Sequence, residues 1–365
     1  MTIYLIIFAI VTILTIFAKK TYKRNKHISY LFSIICILIL SVFAGIRDTS
    51  VGIDLHYYGT YMFNRAANYH NLFDYLETFH KSDILYYSLN FLVTRFTKDI
   101  HIFLFIHQLI ISTIVYIIAY REKEKSNMWL VILCYLTLWY NSSFNILRQS
   151  ISIFILLYGF KYLEEKKYIK YVLLVLLASG FHQSTLIYII MPLMGKICSK
   201  KENIIKTIIL STSLLISFLF IDKIFEFVST YFPSFLNYSS YVVIKATNLK
   251  KGYLIFKIGM LIEILFFYFF TSNKKQNQLL MTMSIFDVIF YSLSGFMRYG
   301  YRLSYLFLIH NIIFLPRMEK NIKIKNNKII YLITIIMFLL LYWYFRYVAA
   351  GYDGTIPYKI GVLGV

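Results

Sequence analysis

The sequence predicts an all-α, polytopic membrane protein with about twelve transmembrane helices. Three observations carry that prediction. Of 365 residues, 59% are hydrophobic, above the roughly 45–50% of a soluble domain. Apolar runs of about 15–20 residues, each near the length that crosses a bilayer, recur along the whole chain. Lysine is confined largely to one set of connecting segments. No linker, Gly/Ser tract, repeat or second domain is visible, so residues 1–365 read as a single transmembrane domain.

The spans read from the apolar runs are 3–18, 29–46, 99–119, 128–141, 145–160, 168–180, 183–195, 203–221, 253–271, 278–295, 301–315 and 329–348. The shortest imply half-helices, or helices whose ends lie in a cavity instead of lipid. The first run, in MTIYLIIFAIVTILTIFAKKTYKRNK, has its charges after it. That argues for a first helix with its N-terminus outside and against a cleaved signal peptide. Segment 83–97 is apolar on one side only and reads as interfacial or re-entrant. It sits in one of two long extracytoplasmic loops, 47–98 and 222–252.

The charge distribution sets the orientation. Taking 19–27, 120–126, 161–170, 196–206, 272–277 and 316–328 as cytosolic puts 20 Lys and 3 Arg inside, against 8 Lys and 7 Arg elsewhere. Lysine therefore follows the positive-inside rule, while arginine is concentrated on the other side. The net charge of +21 is explained by these loops and points to no nucleic acid. Cys36, Cys134 and Cys198 lie in or beside apolar runs, with no metal or disulfide spacing. No cofactor motif is present.

Four outer-side turns carry polar clusters. GIRDTSVGIDLHYY holds Arg47, Asp48, Asp54 and Tyr58; NSSFNILRQ holds Asn145, Arg148 and Gln149. SGFHQST holds His182 and Gln183; GFMRYGYRLSYLF holds Arg298, Arg302 and Tyr305. Ionisable groups at membrane depth are costly unless they face a cavity or partner. Their chemistry suits an anion: an arginine fork pairs bidentately with phosphate oxygens. Arg148 opens an apolar helix, where backbone N–H groups also favour negative charge. His182 or Asp54 could accept a hydroxyl proton.

Each residue also has an ordinary structural reading. Arg47 and Arg148 could be helix-end anchors, with stems in lipid and heads in water. His182 could cap a helix, and Asp54 could serve only a turn. One of Arg298 and Arg302, a helical turn apart, could be structural. His107 and His310, inside apolar runs, read as packing or interhelical hydrogen bonds.

In order, RDTSVGIDLHYY, NILRQSIS, SGFHQST, RLSYLF and a terminal IPYK resemble the EpsG-like, Wzy-type bacterial polysaccharide polymerases, over roughly residues 45–359. Gly52, Asp54 and Tyr58 match the Gly-x-Asp pattern with its following Tyr. Arg148-Gln149 matches the Arg-Gln pair, His182 the Phe-His step and Arg302 the late arginine. His56 and the additional Arg298 depart from the pattern, which bears on the sugar pocket. The resemblance implies the fold of multi-span glycosyltransferases that use lipid-linked donors, in the bacterial cytoplasmic (inner) membrane, with the site on the outer side. It implies that an undecaprenyl-diphosphate-linked oligosaccharide is extended by one repeat unit as lipid diphosphate leaves.

On this reading, Arg148 and Arg302, assisted by Arg298 or Arg47, hold the diphosphate. His182 or Asp54 is the base, and Asn145, Gln149, Tyr58, Gln183 and Tyr305 touch substrate. No cofactor is expected and no metal ligand is assigned; the metal requirement stays open, since arginines can also neutralise a diphosphate. Besides substrate and membrane lipid, a chain-length regulator or flippase of the same pathway is the expected protein partner. The product class (O-antigen, capsule or exopolysaccharide) stays open. Two alternatives are an acyltransferase that decorates surface glycans and a flippase for the lipid-linked oligosaccharide. The first needs a donor from the cytosolic side; the second needs charges along the spans, where Glu263 and Asp287 are the main ones.

Overall fold

The computed structural model describes residues 1–79, 82–198, 223, 226–227, 230, 250–272, 274–295 and 300–361. Among them the chain is helical throughout, and two isolated bridges are the sole β-type pairings. Five helical stretches in the described residues are long and apolar enough to cross a membrane: Thr2–Thr21, Lys26–Gly45, Ile100–Glu122, Asn277–Gly295 and Lys325–Ala349. The predicted span 203–221 lies outside the described residues. The chain divides into two compact units, Met1–Pro192 with Leu339–Val365, and Leu193–Phe338.

The first unit opens with the hairpin α1 (Thr2–Thr21) and α2 (Lys26–Gly45). Asn25 caps α2, its Oδ1 accepting from the N–H groups of His27 at 2.9 Å and Ile28 at 3.2 Å. Residues 47–98, expected as a loop, are largely helical: a π-turn over Leu55–Gly59, then α3 (Thr60–Ala67), α4 (Leu72–Glu77) and α5 (Ile84–Thr94). Leu55, Phe63, Tyr75, Leu76 and Tyr86 form a buried cluster against Phe103 and Leu104 of α6 (Ile100–Glu122). Phe79 stacks on Tyr87 at 3.9 Å between ring centroids. At 11 residues, α5 is about 16 Å long, half the hydrocarbon thickness.

Next come α7 (Met128–Tyr135), a π-turn over Leu136–Tyr140, α8 (Ser142–Asn145) and α9 (Leu147–Glu164). The helical path breaks at Ile146, where φ −84° and ψ 65° leave the α region. Helix α9 carries its charges at its ends, Arg148 in the first turn and Lys161 and Glu164 in the last. It packs against α10 (Tyr168–Phe181), which His182 ends in an extended conformation. A 3-10 segment, Gln183–Ile190, and α11 (Met191–Cys198) follow. His107 of α6 is buried and bonds the Leu147 carbonyl at 2.9 Å, the interhelical bond expected of a histidine in an apolar run.

The C-terminal residues of this unit fold back along the Arg47–Asp54 segment. Arg47 bridges antiparallel to Ile360. The Asp48 N–H donates to the Lys359 carbonyl at 2.9 Å, Gly361 N–H to Ile46 at 2.8 Å and Gly52 N–H to Gly354 at 3.0 Å. Tyr358 stacks on Phe43 at 4.1 Å.

In the second unit are α12 (Lys251–Tyr268), α13 (Lys274–Ser292), α14 (Gly300–Leu308), α15 (Asn311–Asn321) and most of α16 (Lys325–Trp343). The single predicted span 301–315 is divided into α14 and α15 at Ile309–His310. Lys257 meets both carboxylate oxygens of Asp287 at 2.6 Å, with both side chains buried. Asp287, one of the two acidic residues noted in the spans, is thereby neutralised by a neighbouring helix.

Candidate functional site

Gly52 of the Gly-x-Asp pattern has a backbone explanation. Its φ is +113°, and a Cβ there would stand 2.5 Å from the Phe144 carbonyl oxygen. Glycine alone permits both this conformation and this approach. Gly52→Ala is expected to destabilise the fold by roughly 2–4 kcal/mol, through strain and overpacking against backbone. A lower melting temperature in detergent would report it; an unchanged one would remove this explanation.

The close approach sets Asp54 beside α8. Its N–H donates to Asn145 Oδ1 at 2.6 Å. Asn145 Nδ2 donates in turn to Asp353 at 2.9 Å. Arg47, by contrast, is fully buried. Its guanidinium donates to the Ala44 carbonyl and, at 3.2 Å, to the Phe144 carbonyl, with its carbon 4.4 Å from the Phe144 ring centroid. Arg47 thus joins α2 to the α8 turn and does not enter the cluster around Arg148.

That cluster is organised by Asp83, a residue the sequence reading passed over. Arg148 Nη1 donates to Asp83 Oδ2 at 2.8 Å and to the Tyr87 hydroxyl at 3.2 Å. His182 Nδ1 faces the same Oδ2 at 3.2 Å, and the Gln183 N–H donates to Oδ1 at 3.0 Å. The Tyr58 ring lies 5.5 Å from the Arg148 guanidinium carbon. One carboxylate therefore joins the NILRQ turn to the SGFHQST turn, under an aromatic wall.

Asp83 sits at φ 46°, ψ 43°, left-handed backbone that aspartate tolerates better than most residues. Its carbonyl accepts from the Tyr86 and Tyr87 N–H groups at the start of α5, which leaves its side chain for the cluster. Burial alone would raise the Asp83 carboxyl. The hydrogen bond from His182, the Arg148 guanidinium and the Gln183 N–H outweigh it and hold the group below the usual carboxylate range. It is therefore ionised at neutral pH.

The Asp83 side chain is 5% exposed, Arg148 24% and His182 25%. The buried carboxylate orients two groups that remain accessible. Among the described residues, both Arg148 hydrogen bonds use Nη1, leaving Nη2 and Nε for an oxyanion. His182 presents Nε2 on the side of its ring opposite Asp83.

Asp54 is close enough to act electrostatically on the buried Tyr86 phenol, as Arg148 also does. Gln149 is buried in α9, and the Gln183 side chain is exposed. Arg302, half-buried, and Tyr305, buried, lie on α14 of the second unit. Arg298 lies outside the described residues. No group of three or more His, Cys, Asp or Glu side chains able to hold a metal occurs among the described residues.

No curated protein and no solved structure matches the chain. A family model does, over residues 30–360, a span that includes the Gly-x-Asp turn, Asp83, Arg148, His182 and most of the returning C-terminal segment. The chain belongs to the EpsG family.

Proposed function

We propose that the protein polymerises lipid-linked oligosaccharide repeat units at the outer face of the bacterial cytoplasmic membrane. EpsG-family membership implies a membrane polysaccharide polymerase, and so a glycosyltransferase, in general terms. To this we add the undecaprenyl-diphosphate donor, the orientation and the residue roles. The observation that carries it is the Asp83 carboxylate, which holds an arginine and a histidine from two turns side by side.

The acceptor's sugar hydroxyl attacks the anomeric carbon of the donor. A glycosidic bond forms, the bond from that carbon to the diphosphate oxygen breaks, and the electron pair leaves with the diphosphate. Arg148, through Nη2 and Nε, stabilises the charge that grows on the leaving oxygens. His182, held by Asp83 through Nδ1, takes the hydroxyl proton on Nε2. Asp54 grips a hydroxyl of the bound sugar, and Tyr58 supplies an apolar wall.

Gel sizing of surface polysaccharide tests this reading. A strain lacking the protein is expected to lose the long-chain ladder and retain single repeat units outside the cell. Accumulation of the repeat units inside would indicate a flippase, and an unchanged ladder would contradict the proposal.

A further inference from the structure

A buried polar chain links the C-terminal segment to the Gly-x-Asp turn, and neither the motifs nor the proposed chemistry uses it. Asp353 is 3% exposed and adopts φ +66°, a conformation that L residues rarely take. Its Oδ2 accepts from Ser142 Oγ at 2.7 Å and faces Arg346 Nη2 at 3.4 Å. Its Oδ1 accepts from Asn145 Nδ2 at 2.9 Å. The other end of the Asn145 amide, Oδ1, accepts the Asp54 N–H at 2.6 Å.

The polarity of this relay follows from its ends. A backbone N–H can only donate, so the Asn145 oxygen must face Asp54. At the other end the Asp353 carboxylate receives Ser142 and faces Arg346, so it serves as the acceptor and the Asn145 nitrogen must face it. The relay therefore works in one sense and requires an acceptor at 353. The two flanking backbones are joined as well, by Gly52 N–H to the Gly354 carbonyl. Asn141, beside the relay, donates to Thr355 at 2.9 Å and accepts from the Trp343 indole at 2.8 Å.

We propose that Asp353 is a positioning residue: through Asn145 it fixes the Asp54 backbone, and so aims the Asp54 carboxylate at the bound sugar. The inference rests on the polymerase reading for the role of Asp54, and on geometry alone for the relay. In Asp353→Asn, Asn145 and the Ser142–Arg346 pair both still donate to position 353, and an amide offers its acceptor to only one of them, so at least one link is lost. Exchanging the pair, Asn145→Asp with Asp353→Asn, restores it. The new carboxylate accepts from both the Asp54 N–H and the amide at 353, whose oxygen serves Ser142 and Arg346.

The test uses full-length protein in lipid nanodiscs and two readouts. Hydrogen–deuterium exchange at the Asp54 amide needs no substrate. Polymerisation of an undecaprenyl-diphosphate-linked oligosaccharide gives kcat and KM. Asp353→Asn is expected to raise exchange at Asp54 about ten-fold, the cost of roughly one charge-assisted hydrogen bond. It should lower kcat about 10- to 100-fold at nearly constant KM, as misplacement by an ångström or less does. The exchanged pair should recover both. Unchanged exchange in Asp353→Asn would overturn the relay. Raised exchange with normal kcat would overturn the positioning role. Loss of activity that the exchanged pair does not recover would reduce Asp353 to a general support of the fold. Failure of the wild-type protein to polymerise would instead sink the polymerase reading, with the exchange result still deciding the relay.

Discussion

Arg148→Lys is expected to abolish long-chain polymer while the protein still inserts and folds. A lysine keeps the charge and can still reach Asp83, so the ion pair survives. It cannot present the second edge of a planar fork to two oxygens of a diphosphate. Loss of one preorganised donor to a developing oxyanion typically costs about 10²–10³ in kcat, roughly 3–4 kcal/mol. Polysaccharide sizing and membrane-fraction immunoblotting together check this. Normal chain length in the lysine variant would show that Arg148 serves as an anchor and an ion-pair partner only.

The second large effect falls on the Asp83–His182 pair. His182→Ala removes the proposed proton acceptor, a loss of about 10²–10⁴ in rate. Asp83→Asn should approach that loss, because the neutral side chain no longer holds the ring and its proton in place. The Asp83→Asn, His182→Ala double variant should be little slower than either single one, since groups acting as a unit are not additive. Stability should suffer less than activity. Arg148 keeps 24% of its side chain exposed, so leaving it without the carboxylate costs roughly 1–2 kcal/mol, below the penalty of a fully buried charge. Additive rate losses from the two changes would separate Asp83 from His182 and remove the pair from the mechanism.

The membrane-protein class and many helix positions were legible from apolar runs, because hydropathy is a local property. The helical character of residues 47–98 was not. Phe63, Tyr75, Leu76 and Tyr86 are scattered among polar residues and find their common core against α6. Asp83 was missed for a related reason: its partners Arg148 and His182 lie 65 and 99 positions away in sequence. Here its backbone carbonyl serves the helix start and its side chain faces Arg148 and His182. An arginine and a histidine at the same depth, with no acid assigned between them, were the signal that could have found it.

Arg47 shows the opposite difficulty. Its motif neighbours suggested a ligand-binding arginine, yet its Nη1 and Nη2 donate to the Ala44 and Phe144 carbonyls. That outcome depends on a contact between residues 47 and 144, which no local pattern encodes. Asp353 and Arg346 were equally out of reach, since their partner Ser142 lies about two hundred positions away in sequence. Asn145 was placed among the substrate contacts. The structure gives its amide two buried protein partners, Asp54 and Asp353.

The proposed reaction is the transfer of a glycan from a lipid diphosphate to a sugar hydroxyl. Its most direct test is purified protein in nanodiscs supplied with undecaprenyl-diphosphate-linked repeat units and no other enzyme. Glycan length and released undecaprenyl diphosphate are measured together. The expected result is glycans longer than one repeat unit, with one undecaprenyl diphosphate released per bond formed. Repeat units that stay single, or glycans that lengthen without that release, would contradict it.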